Sequence, residues 1–514
     1  MASRTDPEIA EAPREIHSTS STQTGGILVP AASFVRAHWR RLASISALAL
    51  IPCFWHREIE ASDLGSHLYD AWLVQLIHRG QVHGLWVDHR WNNVLFDYLL
   101  SGFGALFGLH AAERISVALA VLIFFWGAFA LVCAATRRAP WYLLPCIAMA
   151  AYGWTFHLGL FNYYLALGLS FFGLAILWRG RGRERLIALA LAPLIVLAHP
   201  LGLFWLAGAA LYVLLAERLP RLYQIALLLV AAAALYGIHW YLFTYYDVEA
   251  HPDPFYFFNG ADQFFLYGDR YQIVEYAFLV FLGAALVWDA FRRWRRREGR
   301  FWLNYALPVE LYLVTFAAVL LLPRGVQIPG HIAAIALLTD RLTSISLVLL
   351  VCLLGALRRG KWHLVVSAAI AAVFFGFLYQ DTGRINRMES EVAKLVRTLP
   401  PGQRVVGTIE PLSDDSRVMI QHILDRACIG YCYSYGNYEP ASGMFRVRAA
   451  PGNPYVLTNF DSAAETENGE YEVQPADLPL YQVYECGEEG QELCIGPLKA
   501  GEKNDAPGVH APED

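Results

Sequence analysis

Charge is what this chain has little of. Only 17% of its 514 residues are Asp, Glu, Lys or Arg, while 56% are hydrophobic. Soluble domains carry about 25% charged residues, so a single soluble globular domain is excluded. The net charge of -5 is small and of the wrong sign to neutralise a phosphate backbone, so no nucleic-acid partner is expected. Compact metal signatures are missing as well: there is no Cys-x-x-Cys, no His-Glu-x-x-His, and no Asp-x-Asp in the first polar loop. A divalent metal ion, if one is used, has to be held by carboxylates from separate loops. No glycine-rich phosphate cradle is found between the apolar runs, which argues against nucleotide hydrolysis. The first thirty or so residues also lack an apolar stretch with a cleavage site, so no removable signal peptide is expected.

What is abundant is apolar sequence in long runs, with basic residues clustered between them. A helix needs about 20 apolar residues to cross the hydrocarbon core. Runs near 42–55, 115–135, 141–154, 158–178, 186–197, 201–216, 222–243, 273–291, 302–322, 342–357 and 362–379 give about eleven crossings on that measure. Basic residues stay on the cytoplasmic side, and the clusters Arg137-Arg138, Arg179 to Arg185, Arg292 to Arg300 and Arg358-Arg359-Lys361 all fall there if the N-terminus is inside. The run 93–109 breaks this pattern if counted as a crossing. With Asp97 and several glycines in it, it reads instead as an interfacial helix on the outer surface.

The expected architecture is therefore an all-α polytopic membrane protein with a small extracytoplasmic C-terminal domain of α/β or α+β type. Residues 1–41 form a cytoplasmic tail. Residues 42–379 form the membrane domain, with a long first outer loop at 56–114 and further outer segments at 245–272 and 323–341. Residues 380–500 form the exported domain, with a helix at 385–399 and strands near 404–409, 455–458 and 480–485. From Gly501 onward the composition predicts disorder.

The eight cysteines divide the same way. Cys53, Cys133, Cys146 and Cys352 lie in apolar runs, where a thiol acts as a small hydrophobe. Cys428, Cys432, Cys486 and Cys494 lie in the exported part, where disulfides are permitted, and four cysteines allow three connectivities.

Chemistry, if present, belongs to the exported loops. The first carries Asp63, His67 and Asp70 at spacings of four and three. On a helix they share one face, with Leu68, Tyr69, Trp72, Leu73 and Leu76 as an apolar face lying on the bilayer. Asp88 and Arg90 follow in the same loop. His157 and Asn162 lie at the outer mouth of one span, and His199-Pro200 at an outer turn between two. Polar groups at such depth line cavities or bridge helices. Arg341, with Arg324 nearby, opens a late span at its outer edge, where a guanidinium fork suits phosphate oxygens. The segment "DVEAHPDPFYFFNGADQFFLYGDRY" combines aromatics and carboxylates, as sugar-binding surfaces and membrane-surface flaps both do.

The order of features in "EASDLGSHLYDAWLVQLIHRG" and "NNVLFDYLLSGFGALFGLHAAERISVAL" resembles the GT-C superfamily of membrane glycosyltransferases, which includes aminoarabinose and protein mannosyl transferases. The resemblance covers 42–138. It implies a polyprenyl-phosphate-linked sugar as donor and an extracytoplasmic glycan, lipid or protein as acceptor. It also implies that Asp63 is the acidic base, with His67 or Asp70 as orienting partner, and that Arg341 meets the lipid phosphate. Leu64 stands where such enzymes commonly have a second acidic residue, and this feature favours the alternative, a non-catalytic lipid-binding or scaffold protein of the same architecture. A transporter or flippase ranks behind both, since mid-span charge is scarce and Glu310 is its clearest case.

Overall fold

The structure is a computed structural model and describes residues 28–250, 256–296, 306–330, 332, 334–358, 360–409, 415–420, 422–486 and 492–504. Among them the chain is mostly helical. The helices are α1 (Leu28–Ala49), α2 (Leu64–His78), α3 (Leu95–Phe107), α4 (Leu109–Thr136), α5 (Leu144–Ala151), α6 (Trp154–His157), α7 (Phe161–Arg179), α8 (Glu184–Ala198) and α9 (Pro200–Ala216). They continue as α10 (Arg221–Tyr245), α11 (Gln272–Arg295), α12 (Ala306–Leu321), α13 (Leu338–Ala356), α14 (Trp362–Val396), α15 (Ile423–Cys428), α16 (Glu439–Ser442) and α17 (Phe460–Glu467). The strands are β1 (Leu85–Val87), β2 (Asp247–Glu249), β3 (Gly325–Gln327), β4 (Arg404–Thr408), β5 (Tyr433–Ser434), β6 (Val447–Ala449), β7 (Leu480–Cys486) and β8 (Glu492–Pro497).

Among the described residues six helices are long and apolar enough to cross a membrane: α4, α7, α10, α11, α13 and α14. The shorter apolar helices are α3, α9 and α12. α3 has 13 residues, about 20 Å of helix at 1.5 Å per residue, too short to cross. Gly108, at φ 82°, breaks it from α4. Leu106 and Phe107 stand exposed at its end, as an interfacial helix requires. The first apolar run differs from expectation at its start. α1 begins at Leu28, so Arg36, Arg40 and Arg41 lie on the helix and not before it. The run 141–154 is also divided, between a short turn, α5 and α6.

Arg138 and Arg179 lie at one end of α4 and the first loop at the other. At its near end, α4 brings Glu113 to the backbone N–H of Ile59 (3.3 Å). At the far end, Arg179 Nε donates to the Ala134 carbonyl (2.6 Å) and Arg138 to those of Gly355 and Leu357. Arginine forks thus satisfy the last carbonyls of α4 and α13, groups that a helix end leaves without internal partners.

The C-terminal domain is built on a sheet of order β5-β4-β7-β8, with β4 parallel to both neighbours and β8 antiparallel to β7. Two disulfides close locally, Cys428–Cys432 and Cys486–Cys494. The expected strand at 455–458 does not form; Tyr455 and Val456 N–H groups donate instead to the Asn453 side chain. The expected helix at 385–399 is the end of α14, which runs unbroken from the apolar run into this domain. The chain stays packed past Gly501, because Asn504 is fully buried and its amide donates to the Thr466 carbonyl (2.7 Å). Residues 505–514 lie outside the described residues.

The first loop and the C-terminal domain are one unit. β1 pairs antiparallel with β6, and Tyr69 of α2 accepts a hydrogen bond from Ser434 N–H (3.0 Å). This corrects the expected orientation of α2. Leu68, Tyr69 and Leu73 are buried, and so are His67 and Asp70. The helix is covered on both faces because the C-terminal domain meets its polar side through His422 and Asn437 and its apolar side through Tyr433 and Ser434. Below it, Arg426 of α15 sits among Glu113, Glu389 and the Ile59 carbonyl (3.5, 3.3 and 3.0 Å). A buried ion cluster of this kind fixes registry more than it adds stability.

Candidate active site

Asp63 is the N-cap of α2, held in place by its own backbone N–H donating to the Leu158 carbonyl (3.1 Å). Two glycines allow what surrounds it. Gly159 has φ +87°, and a Cβ there would stand 2.6 Å from Asp63 N. Gly65 lets the backbone of His422 close on α2, since a Cβ at Gly65 would collide with the His422 carbonyl. Gly65→Ala should therefore push α15 away from α2 at a cost of about 1–3 kcal/mol, the usual penalty for overpacking. The check is a lowered thermal midpoint together with faster proteolysis of the C-terminal domain.

Across this close approach His422 faces Asp63, with Nε2 3.7 Å from the Asp63 carboxylate. On its other side Nδ1 meets Asp425 at 2.7 Å. Asn437 Nδ2 in turn donates to the same Asp425 oxygen (2.8 Å) and lies 2.8 Å from Ser66 Oγ, one turn into α2. The result is a carboxylate–imidazole–carboxylate line, buried at His422 and Asp425 and partly exposed at Asp63, that joins two distant parts of the chain. Burial alone would lower the His422 pKa, but the Asp425 hydrogen bond and charge, then Asp63, raise it to about 9. Burial pushes Asp63 above the ordinary carboxylate range, and the charges of His422, His67 and Arg341 only partly offset it. Beyond His422 lies a small cleft of about 40 Å³ lined by Asp425, Asn437, Thr466 and Glu467.

His67 is drawn elsewhere. Its Nδ1 bonds Asp97 of α3 (2.8 Å), and Asn162 Nδ2 donates to the other Asp97 oxygen (2.9 Å). Asn162 Oδ1 also accepts from Phe96 N–H (2.8 Å), so it fixes α3 against α7. Although burial works the other way, the charge and hydrogen bond of His67 hold Asp97 below its usual range. Asp70 instead faces Glu439. Burial raises Asp70 to about 6 and Glu439 well above its usual range. Two carboxylates this deeply buried disfavour each other's ionised form, which adds to the effect of burial.

Arg341 opens α13 beside this site, and its charge acts on Asp63. Its Nη1 lies 3.2 Å from His199 Nε2, while His199 Nδ1 faces the Leu201 N–H (3.2 Å). A neutral imidazole accepts at only one nitrogen, so one of these two donors lacks an acceptor. Arg341 Nε is buried with no partner among the described residues. Arg341 is thus a partly buried guanidinium short of an acceptor, and its charge reaches Asp63.

The other expected residues are otherwise engaged. Arg324 clamps Asp340 and Glu249 (3.0 and 3.1 Å), tying β2, β3 and α13. His157 Nδ1 meets the Glu60 carbonyl (2.9 Å) and the Tyr267 hydroxyl (3.0 Å), supporting the strand of backbone behind Asp63. Asp88 pairs with both Arg90 and Arg448. In the aromatic segment, Asp262 is buried and accepts from the N–H groups of Phe258, Asn259 and Gly260, which shapes its own loop. Among the described residues one group can hold an ion, Glu58, His110 and Glu113. Its carboxylates already face Arg57 and Arg426, so the set fits a salt-bridged corner better than a cation site.

The sequence reading missed His422 and Asp425 as site residues. Their i, i+3 spacing in "QHILDRAC" was the only available signal. Comparison with family models, with curated proteins and with solved structures finds no match for this chain.

Proposed function

We propose that this is a membrane glycosyltransferase that moves a sugar from a polyprenyl-phosphate donor to an acceptor hydroxyl on the extracytoplasmic face. Asp63 takes the acceptor proton as the hydroxyl oxygen bonds to the anomeric carbon. The bond from that carbon to the phosphate oxygen breaks on the opposite side, with inversion. Arg341 receives the departing phosphate, because a guanidinium fork pairs bidentately with such oxygens. His422, held by Asp425, keeps Asp63 in place and balances its charge; it is a positioning residue.

The observation that carries this reading is the convergence of a partly exposed carboxylate, a buried imidazole and an under-satisfied guanidinium from three separate parts of the chain. Burying such groups is costly unless something compensates for it, and perturbed titratable groups cluster at functional sites. The positive-inside rule places the first loop and the C-terminal domain outside together, where disulfides persist.

The test is turnover of a labelled polyprenyl-phosphate sugar by the purified protein in lipid. Arg341→Ala should raise KM for the donor and lower kcat, for a loss in kcat/KM of roughly 10²-fold, the scale of removing one transition-state donor. A parent protein that turns over no donor sugar overturns the reading.

A further inference from the structure

A second group of arginines lies apart from Asp63, where β1 meets β6. In this antiparallel pair Trp86 stands opposite Arg448 and Val87 opposite Val447, and Asp88 N–H donates to the Arg446 carbonyl (2.7 Å). Side chains alternate between faces along a strand, so Arg446 and Arg448 share one face with Trp86 and Asp88. Arg90 joins them from the loop beyond β1.

Three guanidiniums here have one carboxylate among them. Asp88 takes Arg90 Nε at 3.4 Å and Arg448 Nη2 at 3.1 Å. Arg90 and Arg448 both donate as well to a single backbone oxygen, that of Gly443. Two like charges are thus held side by side on the same two acceptors. Arg446 donates to Ser101 Oγ (3.0 Å) and stacks 4.6 Å from the Tyr98 ring, while the Tyr98 hydroxyl donates to the Arg90 carbonyl (3.0 Å). Arg446 Nε and Arg448 Nη1 are buried with no acceptor among the described residues. Of the carboxyls behind them, Asp97 is held by His67 and Asn162, while Asp70 acts on Arg448 by its charge alone and makes no ion pair with any of the three arginines.

The surroundings say what supplies the missing anion. Tyr98 and Ser101 belong to α3, the short apolar helix too brief to cross a membrane. Trp86 and Trp91 stand exposed beside the cluster, and tryptophan concentrates at the headgroup level of a bilayer. Arginine forks at that level match phosphate oxygens.

We propose that Arg90, Arg446 and Arg448 form a binding site for the phosphate of a lipid headgroup, which seats the unit of α3, β1 and β6 on the membrane surface. The site is independent of sugar transfer and stands or falls separately from it.

The test uses the full-length protein in nanodiscs of phosphatidylcholine alone or mixed with phosphatidylglycerol, followed by native mass spectrometry of the lipids that stay bound. The parent should retain phosphatidylglycerol in roughly tenfold preference, and Arg90→Gln/Arg448→Gln should lose that preference. Arg90→Gln alone, at the more exposed guanidinium, should lose part of it. A thermal shift of the parent with inorganic phosphate, absent in the double variant, would assign the same site to a small anion. Equal retention of both lipids by the parent, with no response to inorganic phosphate, overturns the proposal whatever the variants do. So does a preference that survives in the double variant.

Discussion

Asp63→Asn should lower turnover of donor sugar by roughly 10²–10⁴-fold, the range for loss of a positioned general base, while leaving the fold as stable as before or more so. The second half of this expectation follows from sign. Burial holds the Asp63 pKa above its ordinary value, with His422, His67 and Arg341 only partly countering it. A carboxylate raised in the folded state is easier to ionise in the unfolded state, so its charge at neutral pH costs stability. Asparagine removes that cost and keeps the side-chain shape. Lost activity with an unchanged or higher thermal midpoint is what a functional carboxylate predicts. A structural carboxylate predicts the reverse, a lower midpoint with turnover largely kept. Asp425→Asn should lower both the midpoint and turnover, because one Asp425 oxygen meets His422 and also accepts from Asn437.

How much of this the sequence made legible depends on how local each signal is. That α3 is a separate, short helix was readable because Asp97 and the glycines at 102, 104 and 108 lie within one stretch. β4 and β7 were readable from β-branched runs, and the two sets of cysteines from their surroundings. Their pairing was not readable, since it rests on which thiols the sheet and α15 bring together. The burial of α2 was not readable either. Its polar face looks solvated until the C-terminal domain, more than 300 residues away in sequence, is placed on it. The same separation hid His422. Asp63 could be singled out within its loop, but the partner that faces it is contributed by a helix whose own sequence shows only a His and an Asp three apart. His67 and Asp70 share a helix face with Asp63, yet proximity along a helix does not decide which way each side chain bonds. Asp97 and Glu439, from other elements, captured them. For that reason the orienting role expected of His67 or Asp70 passes, in the proposed function, to His422.

The pH dependence of turnover should then carry the mark of His422. Asp63 must be ionised to accept a proton, so turnover should rise with pH through a value above the ordinary aspartate range. His422 keeps its positive charge until the pH approaches about 9, where Asp425 and Asp63 have moved it against the effect of burial. Above that pH the imidazole loses its proton and the charge facing Asp63, so the profile should fall on its alkaline side near 9. Stability follows the same group with a definite sign. Its pKa is raised in the folded state, so its contribution is complete below the unfolded value of about 6.5 and is lost as pH rises through about 9. His422→Asn keeps a hydrogen-bonding side chain of smaller size but has no proton to lose in this range. The variant should retain measurable turnover, lowered in kcat, with the alkaline limb gone and the acid limb shifted upward, because Asp63 has lost its principal countercharge. A histidine that only held α15 to α2 would lower stability without changing the shape of the profile. An alkaline limb that persists unchanged in His422→Asn would therefore remove His422 from the reaction and leave it as a domain contact. The limb would then belong to another group near Asp63, and the convergence of the first loop with the C-terminal domain would be a matter of folding alone.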